Sequence, residues 1–227
     1  MRRISLLLAT IGIAIAFLFT GCKTIEPSDF QSDFQNANLL PKLGIWFDFH
    51  SFENAYGANS YSADRSTSPE SPYGRGVFDV NYGFKLYTAE KRVQDACDFW
   101  VNDVSNNIMD PSRKKTGNIV IRIGDAYKKN NYKWSWLSGM TLGLPNAFGM
   151  PMCSNRTELE VIVEIYDLRN NLVAKFNERG TAKTYMAAYH GYYEFQRKAA
   201  AMALEDGLIK IKELIHRDYQ VINAKLK

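Results

Sequence analysis

The chain has few of the residues that most often carry chemistry. It contains three cysteines and three histidines among 227 residues, and its formal net charge is only +4. There is no Cys-x-x-Cys pair and the histidines are scattered, so the sequence predicts neither a metal site nor a cofactor. A Gly-x-Ser-x-Gly elbow, a phosphate-binding glycine loop and a His-Glu-x-x-His motif are also missing. These absences predict no catalytic residue, and we expect the protein not to be an enzyme.

The N-terminal residues have the pattern of an export signal. Arg2 and Arg3 precede an uncharged apolar stretch, residues 4–19, which is short for a transmembrane helix because a span needs about 20 apolar residues. The next residues are Phe19-Thr20-Gly21-Cys22. They resemble a bacterial lipobox, with Phe19 in place of the usual leucine. The resemblance implies cleavage after Gly21 and attachment of diacylglycerol and palmitate-type chains to Cys22, since a thioether forms only at a nucleophilic sulfur.

This signal divides the chain into three parts: a signal peptide over 1–21, a polar lipidated tether over 22–38 and a single periplasmic domain over 39–227. Lys23 follows the cysteine where an aspartate would be a retention signal. By resemblance to known sorting rules, this implies anchoring in the outer membrane, facing the periplasm. Removal of Arg2 and Arg3 lowers the formal net charge from +4 to +2, which argues against nucleic acid as a partner.

Periodicity predicts the fold class. Apolar residues with a period of two predict strands, and a stripe at steps of three and four predicts helices. We expect an α+β domain: a small mixed sheet with two main helices packed on one face, in the order strand, helix, strand, strand, strand, helix. Asn170-Asn171 predicts a hairpin turn, since Asn tolerates positive φ. The predicted strands cover about 43–52, 118–126, 158–166 and 172–185, with a weaker strand near 77–86, and the helices cover about 88–108 and 194–218.

With Cys22 assigned to lipid, Cys97 and Cys153 remain as an even pair in an oxidising compartment. They could form a disulfide. Cys97, however, shares the apolar stripe of its predicted helix with Val93 and Trp100, where a cysteine acts as a small buried apolar residue. We therefore predict two free thiols, with the disulfide as the alternative.

Residues 134–155 form a stretch of 22 without a charge. Its glycines and prolines argue against a spanning helix. In one interpretation it is an interfacial loop, with aromatic side chains and lysines at the headgroups. In a second it folds back over the sheet and closes the core, and in a third it is a subunit contact. The predicted membrane or subunit contact residues are Lys133, Trp134, Trp136, Leu137, Met140 and Leu142.

Part of this stretch, residues 136–145, is similar to a Ser-Gly-Leu-Thr-Leu-Gly-like loop of uncharacterised bacterial outer-membrane lipoproteins. The order of elements loosely resembles curli-secretion and polysaccharide-export accessory lipoproteins. These resemblances imply a membrane-anchored envelope lipoprotein with a non-catalytic structural or assembly role, which associates through 134–152 with the membrane, with its own copies or with an envelope partner. A lipid- or glycan-binding carrier module is the alternative.

The first testable prediction concerns the anchor. Replacing Cys22→Ser removes the sulfur to which diacylglycerol would attach, so acyl labelling should disappear and uncleaved precursor should accumulate. Metabolic labelling with a clickable fatty acid, with the Cys97→Ser variant as the control that keeps its label, measures both effects. Normal labelling of the Cys22→Ser variant would show that the lipobox assignment is wrong.

Overall fold

The computed structural model describes residues 38–56, 71–74, 76–80, 91–141, 151–187 and 195–227. The signal segment, Cys22 and the tether up to residue 37 lie outside these residues. Within them the fold is α+β, as predicted: one mixed five-stranded sheet with helices packed against it.

Strands and helices alternate through the first half of the chain, and a hairpin and two helices complete it. The strands are β1 (Leu43–Asp48), β2 (Val77–Asp79), β3 (Gly117–Asn131), β4 (Pro151–Asp167) and β5 (Leu172–Ala187). The helices are α1 (Phe49–Tyr56), α2 (Lys91–Asp103), α3 (Lys133–Met140), α4 (Phe195–Arg217) and α5 (Tyr219–Lys225), and α2 continues into a π-helical turn (Val104–Ile108).

The sheet order is β2-β1-β3-β4-β5. β1 is parallel to β3, and the other neighbouring strands are antiparallel. The core lies on one face, which we call the inner face, where alternate residues of β3 and β4 meet α2 and α4. All six residues of β1 are buried, because the sheet is covered on both faces at this strand. The inner-face residues of the two long strands include Ile119, Ile121, Leu159, Val161 and Val163.

The predicted first strand, 43–52, is too long. The strand ends at Asp48, and the chain turns directly into α1. The Asp48 carboxylate accepts a hydrogen bond from the Ser51 backbone N–H at 3.1 Å, as a residue at a helix start does. Phe52 then stacks on Phe47, with ring centroids 4.2 Å apart. The first turn of α1 is also buried, so its apolar residues extend the period of two beyond Asp48. The predicted strand was too long for this reason.

The other long strands exceed their predictions. β3 has 15 residues and β4 has 17, and their pairing runs from Gly117 opposite Asp167 to Asn131 opposite Ser154, with a register shift between Ile123 and Ala126. We call the end of the sheet at Gly117 the proximal end and the end at Asn131 the distal end. At about 3.3 Å per residue, β3 separates the two ends by about 50 Å.

The apolar stretch that the sequence analysis treated as a loop is in part regular. Its start forms α3, and its last residues open β4 at Pro151. The single-loop interpretation is therefore wrong for these two parts. Residues 142–150, including Leu142, lie outside the described residues. No helix among the described residues has the length and apolarity that a membrane span needs.

The hairpin prediction is confirmed, since Asn170 has a φ of 63°.

Cys97 and Cys153 are both free and buried, which agrees with the predicted thiols. Burial raises the pKa of the Cys97 thiol to about 12, so a nucleophilic thiolate is disfavoured there at neutral pH.

One buried ion pair joins α2 to α4. Lys212 of α4 is fully buried, and its Nζ lies 2.7 Å from Oδ1 of Asp103, which is also buried. Asn107, in the π-helical turn, donates to the same oxygen at 2.7 Å. Because a charge left alone in the core is costly, each partner needs the other, and the pair fixes where the two helices meet.

Helix α4 approaches the sheet with backbone against backbone. A Cβ at Gly180 of β5 would lie 1.8 Å from the Ala203 carbonyl oxygen and 2.6 Å from the Gly207 nitrogen. This contact depends on small residues on both sides. The helix also covers the edge of the sheet, because Asp206 accepts the Thr181 backbone N–H at 2.9 Å and Lys210 donates to the Arg179 carbonyl at 2.7 Å.

We predict that Gly180→Ala destabilises the fold. The added methyl must push α4 away from β5, and overpacking of this kind typically costs about 1–3 kcal/mol. Gly139→Ala is the matched control, because a Cβ there meets nothing within 4 Å, and alanine favours a helix over glycine. Urea unfolding of both variants measures the free energy of unfolding. Equal stability of Gly180→Ala and the native chain would contradict the close contact.

Candidate functional site

The distal end exposes large apolar side chains. α3 leaves β3 directly after the strand ends, and Trp136 is 64% exposed while Met140 is 74% exposed. These two residues are four apart on the helix and therefore share a face. Ser138 is buried, so α3 has a solvent face and a packed face. Trp136 and Met140 do not close the core, contrary to the second interpretation of this stretch.

The other predicted contact residues are placed only in part. Lys133, Trp134 and Leu137 belong to α3, but their side chains lie outside the description, as does the whole of Leu142. The structure therefore brings Trp136 and Met140 to one exposed surface. We call that surface, together with α3, the distal tip.

A row of three cations crosses the sheet just before the distal tip. Lys129, Arg156 and Lys183 are in register on β3, β4 and β5. Arg156 pairs with Glu158 at 2.8 Å, and Lys183 lies over the Tyr185 ring, 5.1 Å from its centroid. Like charges in register repel one another. The row gives the distal end a positive, aromatic border that the sequence analysis did not predict, because it arises from strands far apart in the chain.

On the outer face of the sheet, a polar cluster surrounds Arg122 of β3. Its guanidinium binds Asp48 at 2.9 Å and Glu164 at 3.1 Å, and it also donates to the Tyr73 carbonyl. Lys175 reaches the second oxygen of Glu164 at 3.0 Å. This cluster therefore joins four strands, β1, β3, β4 and β5, to the segment 71–74.

Tyr73 holds that segment against the sheet. Its hydroxyl accepts a hydrogen bond from Asn118 at 2.6 Å and donates to Asn170 at 2.8 Å. Its ring meets Trp46 edge-on at 5.0 Å between centroids and lies 4.5 Å from Tyr166. The sequence signal for this cluster was weak: Asn118, Val120 and Arg122 alternate with isoleucines along β3, and two polar residues on such a face are equally typical of a face open to solvent.

The cluster has altered acid–base properties. Burial opposes the ionisation of Glu164, but hydrogen bonds from Lys175, Tyr166 and Arg122 outweigh it and lower the pKa of this carboxyl below its ordinary value. Burial and the Glu164 carboxylate raise the pKa of Tyr166 to about 12. Both groups therefore keep their usual charge at neutral pH, so neither is tuned to exchange protons there. The described contacts of the cluster hold the segment 71–74 against the sheet and so stabilise the fold.

Other chemistry finds little support among the described residues. No group of three or more His, Cys, Asp or Glu side chains there could hold a metal. His50 and His216 are exposed, and His190 lies outside the described residues. His50 belongs to α1, not to the strand 43–52 that the sequence predicted. A cleft lined by Tyr56, Lys128 and others encloses about 20 Å³, room for about one water and too little for a lipid or a sugar.

The chain matches no family model and no curated protein.

We predict that Arg122→Met lowers the free energy of unfolding by about 3 kcal/mol, because it leaves two buried carboxylates, Asp48 and Glu164, without their shared cation. Lys175→Met, at a position whose side chain is 50% exposed, should cost less than about 1 kcal/mol. Thermal and urea unfolding at pH 7 compare the two variants. Equal effects would show that Arg122 does not organise the cluster.

The Arg122→Met variant also tests how the free energy of unfolding depends on pH. The folded-state pKa of Glu164 is lowered, so its contribution to stability is present above the unfolded pKa of about 4.3 and is lost as the pH falls through the folded value. Without Arg122 the pKa is lowered less, and the loss of stability below pH 4.3 should be smaller. Unchanged acid dependence in Arg122→Met would contradict this assignment.

Proposed function

We propose that the protein is an envelope lipoprotein, anchored in the outer membrane through lipid on Cys22, with a non-catalytic structural or assembly role. The observation that carries the proposal is the distal tip. Trp136 and Met140 are exposed together on one helix face, and tryptophan and methionine are enriched in the cores of protein interfaces. Large apolar side chains that are exposed side by side are typical of a surface that binds a partner.

The length of the chain before the domain favours a protein partner over the anchoring membrane. Cys22 and the first described residue, Asn38, are separated by 16 peptide units. At about 3.3–3.6 Å per residue, a chain of that length reaches at most about 55 Å. The chain enters at the proximal end, because Leu43 opens β1 opposite Gly117. The distal tip lies about 50 Å further along β3, so an orientation with the tip against the membrane and the proximal end away from it would need this tether almost fully extended.

The tip is therefore proposed to meet another copy of the chain or an envelope protein. The carrier alternative would need an apolar cavity for a lipid or a glycan groove. The described cleft at Tyr56 and Lys128 is too small for either, so nothing in the part of the chain that the structure describes favours this second function.

The test is photo-crosslinking in cells. A photoreactive amino acid in place of Met140 should give a covalent adduct of discrete mass, and Trp136→Ser should weaken that adduct several-fold. The matched control is the same amino acid in place of Met202, which is 38% exposed on α4 and should give none. An adduct at twice the mass of the chain identifies a second copy.

Two outcomes would count against this function. A folded protein with no adduct at position 140 would show that the tip binds no protein. Crosslinking at 140 to lipid alone would show that the interfacial interpretation is right and that the tip meets the membrane.

A further inference from the structure

The proximal end is unlike the distal tip. Four segments converge there: 38–42, 110–116, 167–172 and 217–227. The register places Leu43, Gly117 and Asp167 side by side, and the Thr116 backbone N–H donates to the Lys42 carbonyl at 3.0 Å. The last segment joins them because Leu226 packs against Gly117, where an added Cβ would be 3.0 Å from Leu226 Cδ2. We call these four segments the proximal surface.

The proximal surface is strongly basic. Its four segments carry eight Lys and Arg side chains, all exposed, and three carboxylate side chains. Each carboxylate is engaged by near neighbours: Asp110 by Ser112 and Arg113, Asp167 by Asn171, and Asp218 by Arg217. Most of the positive charge therefore faces solvent without a local counterion. The basic residues are Lys42, Arg113, Lys114, Lys115, Arg169, Arg217, Lys225 and Lys227.

Exposed aliphatic side chains lie among these charges. Leu168 is 60% exposed and Leu172 is 54% exposed at the two sides of the β4–β5 turn, and Val221 of α5 is 59% exposed. Basic side chains mixed with apolar ones are typical of a surface that lies in the headgroup layer of an anionic bilayer, with the apolar groups dipping below it. A polyanion such as nucleic acid would match the charges, but it would leave the leucines in water.

We propose that the proximal surface lies against the anionic phospholipid surface of the membrane in which Cys22 is anchored. The proposal rests on the lipid anchor of the proposed function. The tether enters the domain at this surface, since the Leu40 backbone N–H donates to the Ile108 carbonyl at 2.8 Å and the Asp110 backbone N–H donates to the Leu40 carbonyl at 2.9 Å. A tether of 16 peptide units is therefore long enough for this end of the molecule to lie at the bilayer. The domain then stands upright, with the distal tip about 50 Å away from the membrane.

Proximity to the bilayer can be read with an environment-sensitive fluorophore. The full-length lipidated protein is reconstituted into vesicles of phosphatidylcholine, with and without phosphatidylglycerol. The fluorophore is attached to Leu168→Cys or to Met140→Cys, while the buried Cys97 and Cys153 react little. With phosphatidylglycerol, the label at 168 should shift to shorter wavelength and be quenched by brominated lipid. The label at 140 should do neither.

Charge reversal supplies the matched control. Lys114→Glu with Arg169→Glu should abolish the shift at position 168, and so should high salt. Lys129→Glu with Lys183→Glu removes the same charge from the distal row and should leave it intact. All variants should keep a native circular dichroism spectrum, because the four side chains are exposed.

The outcomes separate this proposal from the lipid anchor. Vesicle flotation with pure phosphatidylcholine reports the anchor alone, and its failure would overturn the proposed function. If the protein floats but the label at 168 does not shift with phosphatidylglycerol, the proximal contact is wrong. An equal effect of both charge reversals would show that overall charge, and not this surface, drives binding. A shift at 140 in place of 168 would show that the tip faces the membrane.

Discussion

The structure depends on one long antiparallel pairing. β3 and β4 stay paired from Gly117 opposite Asp167 to Asn131 opposite Ser154, and β5 extends the pairing on the other side of β4. Side chains on a strand alternate between faces, so this register decides at once which residues enter the core and which face solvent. The same register aligns the strand ends, and it thereby places the basic proximal surface and the apolar distal tip at opposite ends of the sheet.

Two polar arrangements make the packing around this pairing specific. On the inner face, the Lys212–Asp103 ion pair ties α4 to α2 inside the core. On the outer face, Arg122 gathers Asp48 and Glu164 under the segment that carries Tyr73. Buried ion pairs add little net stability, but they penalise arrangements in which either partner is left alone. The contact of Gly180 with α4 adds a steric condition, because any larger residue would collide with the helix backbone.

A protein of this shape has two ends with different chemistry. The proximal surface combines exposed cations with aliphatic side chains beside the point where the tether enters, and the distal tip presents Trp136 and Met140. Charge attracts an anionic surface over the Debye length of about 8–10 Å, whereas aromatic and thioether side chains favour a close-packed partner. We therefore propose that the proximal surface meets the membrane and that the distal tip meets a protein. The length of the sheet separates these two contacts by about 50 Å.

The sequence by itself determined those features that depend only on residues close together in the chain. The period of apolar residues identified the long strands and helices and hence the α+β class, and the asparagines at 170–171 identified the turn, because periodicity and turn preference are local properties. The free thiols followed from the stripe that Cys97 shares with Trp100. The export and lipid signal is also a local motif, and it stays a prediction.

Only the tertiary structure decided what depends on residues far apart in the chain. β1 stops at Asp48 because that carboxylate starts α1 and binds Arg122, 74 residues away. α3 leaves Trp136 exposed because nothing in the described fold covers it, which no composition count could show. The basic residues of the proximal surface look scattered in the sequence, and they become one surface only because the strand register brings four distant segments to the same end of the sheet.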